Sequence, residues 1–156
     1  KEAAFRALVQ PGAVVLLPGV ADWLEAIRRQ GIWQLVGSSG PMANIVTTIE
    51  ALGIGDYFLS LLSGSTLPRG KPHPDLFLRC AAAARVPPQE CLVIEDSIHG
   101  VEAAHRAGIV CIAVGPLAQS DRLQPFLATA RGPRCVAVAS LAALDPVHFI
   151  QQWPLG

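Results

Sequence analysis

Apolar and polar positions alternate along the chain with a helical period in some stretches and in short unbroken runs in others. In Lys1–Gln10, Ala4, Phe5 and Leu8 share one side, and Pro11-Gly12 ends the segment, which predicts the last turns of a helix. Val20–Gln30 sets Val20, Trp23, Leu24 and Ile27 on one face and Asp22, Glu25, Arg28 and Arg29 elsewhere, and Gly31 is placed to stop that helix. Further helices are predicted over Pro41–Leu52 (ended by Gly53), Asp75–Arg85 (ended before Pro87-Pro88), a stretch capped by Ser97 with Val101, Ala104 and Gly108 in register, Asp121–Ala130, and Leu141–Gln152. Between them lie predicted strands at Ile32–Val36, Asp56–Leu62, Leu92–Ile94, Ile109–Val114 and Cys135–Ala139. Strands alternating with helices predict an α/β fold: a Rossmann-like parallel sheet with helices on both faces. Trp23 and Trp33 are expected in its core, and Trp153 as a docking anchor near the end of the chain.

Composition changes this picture little. At 156 residues, with 51% hydrophobic and 15% charged, the chain has enough apolar surface for one well-packed domain. The formal net charge is zero and no basic block occurs, so no nucleic acid and no anionic membrane surface is expected as partner. The apolar runs are far shorter than the roughly 20 residues of a membrane span, and Lys1–Gln10 lacks the pattern of a signal peptide. Cys80, Cys91, Cys111 and Cys135 are widely separated with no CxxC, which reads as reduced thiols in a cytoplasmic protein.

Candidate chemistry gathers where predicted strands end. Ligands of open parallel sheets bind beyond the carboxyl ends of the strands. After Leu92-Val93-Ile94 come two adjacent carboxylates, Glu95 and Asp96, which are costly beside a buried sheet unless they meet a cation. A hard metal such as Mg²⁺ is the expected one. After Ile32–Val36, Gly37-Ser38-Ser39-Gly40 offers hydroxyls and N–H groups at a helix start, where an anion is favoured, although a serine there is also an ordinary cap. In the loop Ser63–Pro74, Lys71 stands between a glycine and two prolines that restrict the backbone around a flexible cation, as a phosphate site would use. His73, His99, His105 and His148 show no ligand spacing, Arg69 reads as a solvated cation, and Gly100 and Gly108 read as a close-packing position and a helix stop.

Together, the strand ending at Ser38, the GKPHPD run around Lys71 and the LVIEDSIHGVEAAHRAG run from Leu92 to Gly108 resemble the second, third and fourth motifs of the haloacid dehalogenase superfamily, and most closely its beta-phosphoglucomutase-like phosphatase branch. PGVADWLEAIRRQG before the serine and LGIGDYF after it also resemble that branch. The resemblance implies that Ser38 and the Ser39 N–H hold a phosphoryl oxygen, that Lys71 neutralises the transferring group, and that Asp96 binds Mg²⁺ with Glu95 as second acidic ligand or its supporting partner. Asn44 matches a position that in some members assists phosphate binding. Such groups work mainly by electrostatics on an in-line phosphoryl transfer.

One part of the pattern is absent. The family's first motif is an apolar strand ending in DxD, whose first aspartate attacks phosphorus, and no aspartate of this sequence follows an apolar strand in that way. In the family that strand lies between the Ser38 and Leu92 strands, and a helical cap domain follows it. Residues 1–12 are thus expected to be a remnant of the cap and residues 13–156 an α/β core lacking its first strand, the C-terminal portion of a longer protein. The resemblance implies a Mg²⁺-dependent, cytoplasmic phosphatase, monomeric at full length, acting on a small phosphorylated metabolite such as a sugar phosphate or phosphoglycolate through an aspartyl-phosphate. Phosphomutase chemistry is the nearest alternative, and a truncated chain that only binds a partner is the alternative from another class. A receiver-type signalling domain would need acidic residues that are missing, and a dinucleotide-binding domain a GxGxxG that does not occur.

Overall fold

The computed structural model describes residues 2–127 and 135–152. Its strands are β1 (Leu35–Ser38), β2 (Ser60–Ser63), β3 (Leu92–Glu95), β4 (Val110–Val114) and β5 (Cys135–Val138), and its helices are α1 (Glu2–Leu8), α2 (Val20–Arg29), α3 (Met42–Leu52), α4 (Asp75–Ala84), α5 (Ile98–Arg106), α6 (Gln124–Leu127) and α7 (Pro146–Gln151). All pairings among these strands are parallel, as the alternation of elements requires.

The strands form two sheets. β1 pairs with β2, Leu35 opposite Ser60 through Ser38 opposite Ser63, and β4 lies between β3 and β5. Neither β1 nor β3 pairs on its other side among the described residues. Ile94 in β3 is consequently 38% exposed, unusual for an isoleucine in a parallel strand, whereas Ile112 at its level in β4 is fully buried.

Alternation along the three-stranded sheet sends side chains to two cores. Cys111, Ala113, Val93 and Ala137 meet Val101, Ala104, Phe77 and Leu123 on one face; Ile112, Val114 and Leu92 meet Trp23, Leu141 and Phe149 on the other. Trp23 anchors the second core. It is 1% exposed, its indole N–H donates to the Leu141 carbonyl (3.2 Å), and its ring lies against Phe149 at 5.6 Å. Gly19 precedes α2 with φ 85°, and a Cβ there would come within 2.2 Å of the Ala142 backbone nitrogen, so only glycine lets the Leu141 turn approach so closely.

Several expected boundaries move for identifiable reasons. The first strand spans Leu35–Ser38 rather than Ile32–Val36, because its ladder is set by Ser60–Ser63 of β2. Trp33 therefore lies before the strand and is 62% exposed, not in the core, while Gln34 is buried with its amide donating to the Leu24 carbonyl (3.0 Å). Of the strand expected over Asp56–Leu62, Asp56 and Tyr57 belong instead to a 3₁₀ turn, Gly55–Tyr57, and the strand begins only at Ser60. The single helix expected over Leu141–Gln152 divides into a 3₁₀ turn, Leu141–Ala143, and α7, where Asp145 caps the His148 N–H and Pro146 takes the first position. Asp121–Ala130 likewise begins as a 3₁₀ turn before α6, and its end, like Trp153, lies outside the described residues.

Candidate active site at the strand carboxyl ends

The carboxyl ends of β1 and β3 flank a cleft of about 380 Å³ lined by Gly37, Ser38, Ser39, Gly40, Lys71, Ile94, Glu95, Asp96 and Ser97. Five of the six sequence-expected site residues meet there, from three separate segments. A second hollow, of about 270 Å³ among Trp33, Tyr57, Phe58 and Arg28, opens at the opposite ends of β1 and β2, and its Arg28 is already committed to Glu25 at 2.7 Å.

The Ser38–Gly40 loop is held from several sides. The Ser38 hydroxyl accepts from the Gly40 N–H (3.2 Å), and the Ser38 carbonyl accepts from the Gly64 N–H (2.7 Å). Ser63, at the end of β2, donates from its hydroxyl to the Gly40 carbonyl (2.6 Å) and accepts from the Ser65 N–H (3.2 Å). α3 follows at once, with Pro41 before its first turn and no side chain capping it. N–H groups there remain available to an anion. Sequence reasoning missed Ser63; its signal is the serine-glycine-serine run that ends an apolar strand.

Lys71 and Glu95 are the central pair. The Lys71 Nζ lies 2.5 Å from Glu95 Oε2 with side chains 12% and 8% exposed, and it also sits 4.7 Å above the Phe77 ring centre. Arg69 fixes the loop beside it through two bonds to Asp75 (3.1 and 3.2 Å), a first-turn residue of α4. The other Glu95 oxygen accepts from the Asp96 N–H (3.2 Å), the Ser97 N–H (3.1 Å) and the Ser97 hydroxyl (2.8 Å). Burial alone would raise the Glu95 carboxyl, but the Lys71 ammonium and the Ser97 donors more than offset it and hold it below the ordinary carboxylate range.

Asp96 behaves in the opposite way. Partial burial and the Glu95 carboxylate beside it push its carboxyl above the usual range, although its side chain stands exposed on the cleft. Two close carboxylates, one already neutralised by lysine and the other not, form a setting that a divalent cation relieves. Both oxygens of Glu95 are engaged within the protein, one with Lys71 and the other with the Asp96–Ser97 turn, an arrangement in keeping with the supporting role that is the alternative to direct metal ligation. Among the described residues no three acidic, histidine or cysteine side chains converge as a metal group. Asp96 is the exposed carboxylate of the two, the one whose oxygens would be open to a hard cation such as Mg²⁺.

Asn44 does not reach the cleft. It lies on α3, where its carbonyl oxygen accepts from Arg6 (3.0 Å) and its amide donates to Glu2, so it fastens α1 to α3. Of the histidines, His99 and His148 are exposed, and His105 lies edge-on to Phe126.

Ser97 links the carboxylates to the helix behind them. Its hydroxyl accepts from the Gly100 N–H (3.1 Å) as the cap of α5 while donating to Glu95. Ser97→Ala is expected to lower stability by about 1–2 kcal/mol, the sum of a lost cap and a lost charge-assisted bond. Denaturant midpoints measure this, and Ser97→Thr should keep most of the difference.

Comparison with known proteins adds a lineage to this geometry. A family model of haloacid dehalogenase-like hydrolases matches residues 2–108. Over 107 residues the chain is 36% identical to hexitol phosphatase B of Escherichia coli strain K12, covering 68% of this chain and 48% of that one. Over 100 residues it is 35% identical to beta-phosphoglucomutase of Bacillus subtilis, covering 64% and 43%. Among solved structures, CbbY of Rhodobacter sphaeroides bound to xylulose-(1,5)bisphosphate superimposes with a TM-score of 0.76 at 27% identity, over 92% of this chain and 62% of that one. The chain thus spans about half the length of these curated relatives.

Proposed function

The chain belongs to the haloacid dehalogenase-like hydrolases, and from that premise we propose that it supplies the phosphate- and metal-binding side of a phosphomonoesterase site. The substrate is a small phosphorylated metabolite of the sugar phosphate or phosphoglycolate class. The observation that carries this reading is the buried Lys71–Glu95 pair, which presents one fixed cation to the cleft between the Ser38–Gly40 loop and Asp96.

In this reading the Ser38 hydroxyl and the Ser39 N–H bind a phosphoryl oxygen, and Lys71 offsets the charge that accumulates on the transferring group. Glu95 keeps the Lys71 ammonium in place, and Phe77 shields it from one side. Asp96 holds Mg²⁺, which when bound screens the phosphoryl oxygens from the attacking carboxylate. The attacking carboxylate itself is an aspartate from outside this sequence, on an apolar strand that enters between β1 and β3 and carries the phosphoryl group as an aspartyl-phosphate. Support comes from the two strand edges left unpaired beside the cleft and from the exposure of Ile94 on one of them.

The test is phosphate release by the complete reading frame that encodes this chain, over sugar phosphates and phosphoglycolate, with and without Mg²⁺. Mg²⁺-dependent release is expected from the complete protein and none from the 156-residue chain alone. Robust hydrolysis by the 156-residue chain would overturn the assignment of the nucleophile to another segment. Silence of the complete protein on every phosphomonoester would overturn the function. The identity with beta-phosphoglucomutase of Bacillus subtilis favours one second reading, phosphomutase chemistry. Interconversion of hexose 1- and 6-phosphates without net phosphate release would select it.

A further inference from the structure

Cys111 and Cys135 stand directly opposite each other on neighbouring parallel strands, in the register Cys111↔Cys135 of β4 and β5. Residues opposite each other in a ladder point to the same face, and both cysteines do so here, within the core formed with Val101, Leu123 and Phe126. Adjacent strands lie about 4.8 Å apart, inside the Cα separations of about 4.4–6.8 Å over which disulfides occur. Both thiols are free. We propose that this pair is a reversible redox site, oxidised by a hydroperoxide to a disulfide that staples β5 to β4.

The two members are not equivalent. Cys111 is 2% exposed, whereas Cys135, the first residue of β5, is half-buried. The neighbouring sulfur and burial push the Cys111 thiol far up, while Cys111 beside it draws Cys135 down, the same order as their exposure. Thiolate character and access are what make a cysteine react with peroxide. Cys80 and Cys91 differ: burial raises both, and neither faces another cysteine in a strand register.

The chemistry balances in two steps. The Cys135 thiolate attacks one peroxide oxygen, the O–O bond breaks, and after proton uptake a sulfenic acid and one water (or alcohol) result. The Cys111 sulfur then displaces the sulfenic hydroxyl: the S–S bond forms, the S–O bond breaks, and the Cys111 proton leaves with the hydroxyl as water. Two thiols are oxidised by two electrons and one peroxide is reduced. Side chains that stand side by side on parallel strands meet at a wider Cβ separation than a relaxed disulfide prefers, so the bond is expected to be readily reduced by a dithiol.

The experiment uses the 156-residue chain with Cys80→Ser and Cys91→Ser, which leaves only this pair, treated with one equivalent of hydrogen peroxide under native conditions. The intact mass should fall by two hydrogens, the peptides carrying Cys111 and Cys135 should become linked, and dithiothreitol should restore both thiols. With Cys111→Ser added, a sulfenic acid should persist on Cys135 and be trapped by dimedone. The same treatment of the four-cysteine chain should give the same link, and urea should slow it. The proposal is overturned if Cys135 proceeds to sulfinic acid with Cys111 present, if the link joins two chains or involves Cys80 or Cys91, if no mass loss occurs, or if urea leaves the rate unchanged.

Discussion

Replacing Lys71 by methionine is expected to lower stability by about 3–5 kcal/mol, the range for removing one partner of a buried ion pair. Glu95 would keep its bonds to the Asp96 and Ser97 N–H groups and the Ser97 hydroxyl, but its other oxygen would remain buried without the ammonium now 2.5 Å away. Methionine still packs on the Phe77 ring that lies under Lys71, so lost apolar contact contributes little. Glu95→Gln should cost less, because a longer and slightly more exposed lysine can turn its ammonium into the cleft, and glutamine keeps a carbonyl for Ser97. The pair of substitutions together should restore much of the loss, since neither buried charge is then unpaired. Urea unfolding of the four proteins measures the coupling. Additive losses in the double variant would show that the 2.5 Å contact carries no net coupling. Under the proposed function, the same Lys71→Met change in the complete protein removes the cation assigned to the phosphoryl group, so activity should fall well beyond what the remaining folded fraction explains.

The features that proved legible were local ones. Leu92-Val93-Ile94 followed by Glu95-Asp96-Ser97 contains a strand, its end and the cap of the next helix within a few residues, and β3 and α5 form where the pattern places them. Gly53 and Gly108 adopt φ of 65° and 74° at helix ends, as their positions after apolar periodic runs imply. Pairings across the chain were not legible. Lys71 and Glu95 each carry a candidate charge, yet nothing in the sequence between two residues 24 positions apart shows that one neutralises the other, so direct metal ligation and a supporting role both stay open for Glu95. Asn44 is a candidate only through the family resemblance, whereas its partners, Glu2 and Arg6, belong to a helix some forty residues earlier. Trp33 looked like core because it is large and apolar; its exposure follows from a strand that starts at Leu35, a register fixed by β2. Residues whose role depends on their own turn or helix could be read directly, and residues whose role depends on a neighbouring element could only be proposed.

Gly100→Ala is the substitution in which those two kinds of constraint oppose each other. Gly100 is the third residue of α5, buried, with a backbone conformation that any residue adopts. By intrinsic preference alanine should favour the helix there by about 0.5–1 kcal/mol. A Cβ at Gly100 would, however, lie 2.0 Å from Glu95 Cδ, 2.2 Å from Oε2 and 2.3 Å from Cγ. Glu95 cannot swing aside at little cost, because its two oxygens hold Lys71, the Asp96 N–H and both donors of Ser97. Moving it breaks the buried pair and the turn that presents Asp96 to the cleft, so a loss of about 3 kcal/mol or more is expected. In a chain carrying Glu95→Ala the carboxylate is gone and the space beside Gly100 opens. There the same Gly100→Ala change should reverse sign and stabilise by a few tenths to about 1 kcal/mol. Equilibrium unfolding of the wild type, the two single variants and the double variant reads this reversal directly. If Gly100→Ala destabilises equally in both backgrounds, the glycine serves the helix or another neighbour, and the close approach of α5 to Glu95 is not what holds Lys71 and Asp96 in their places.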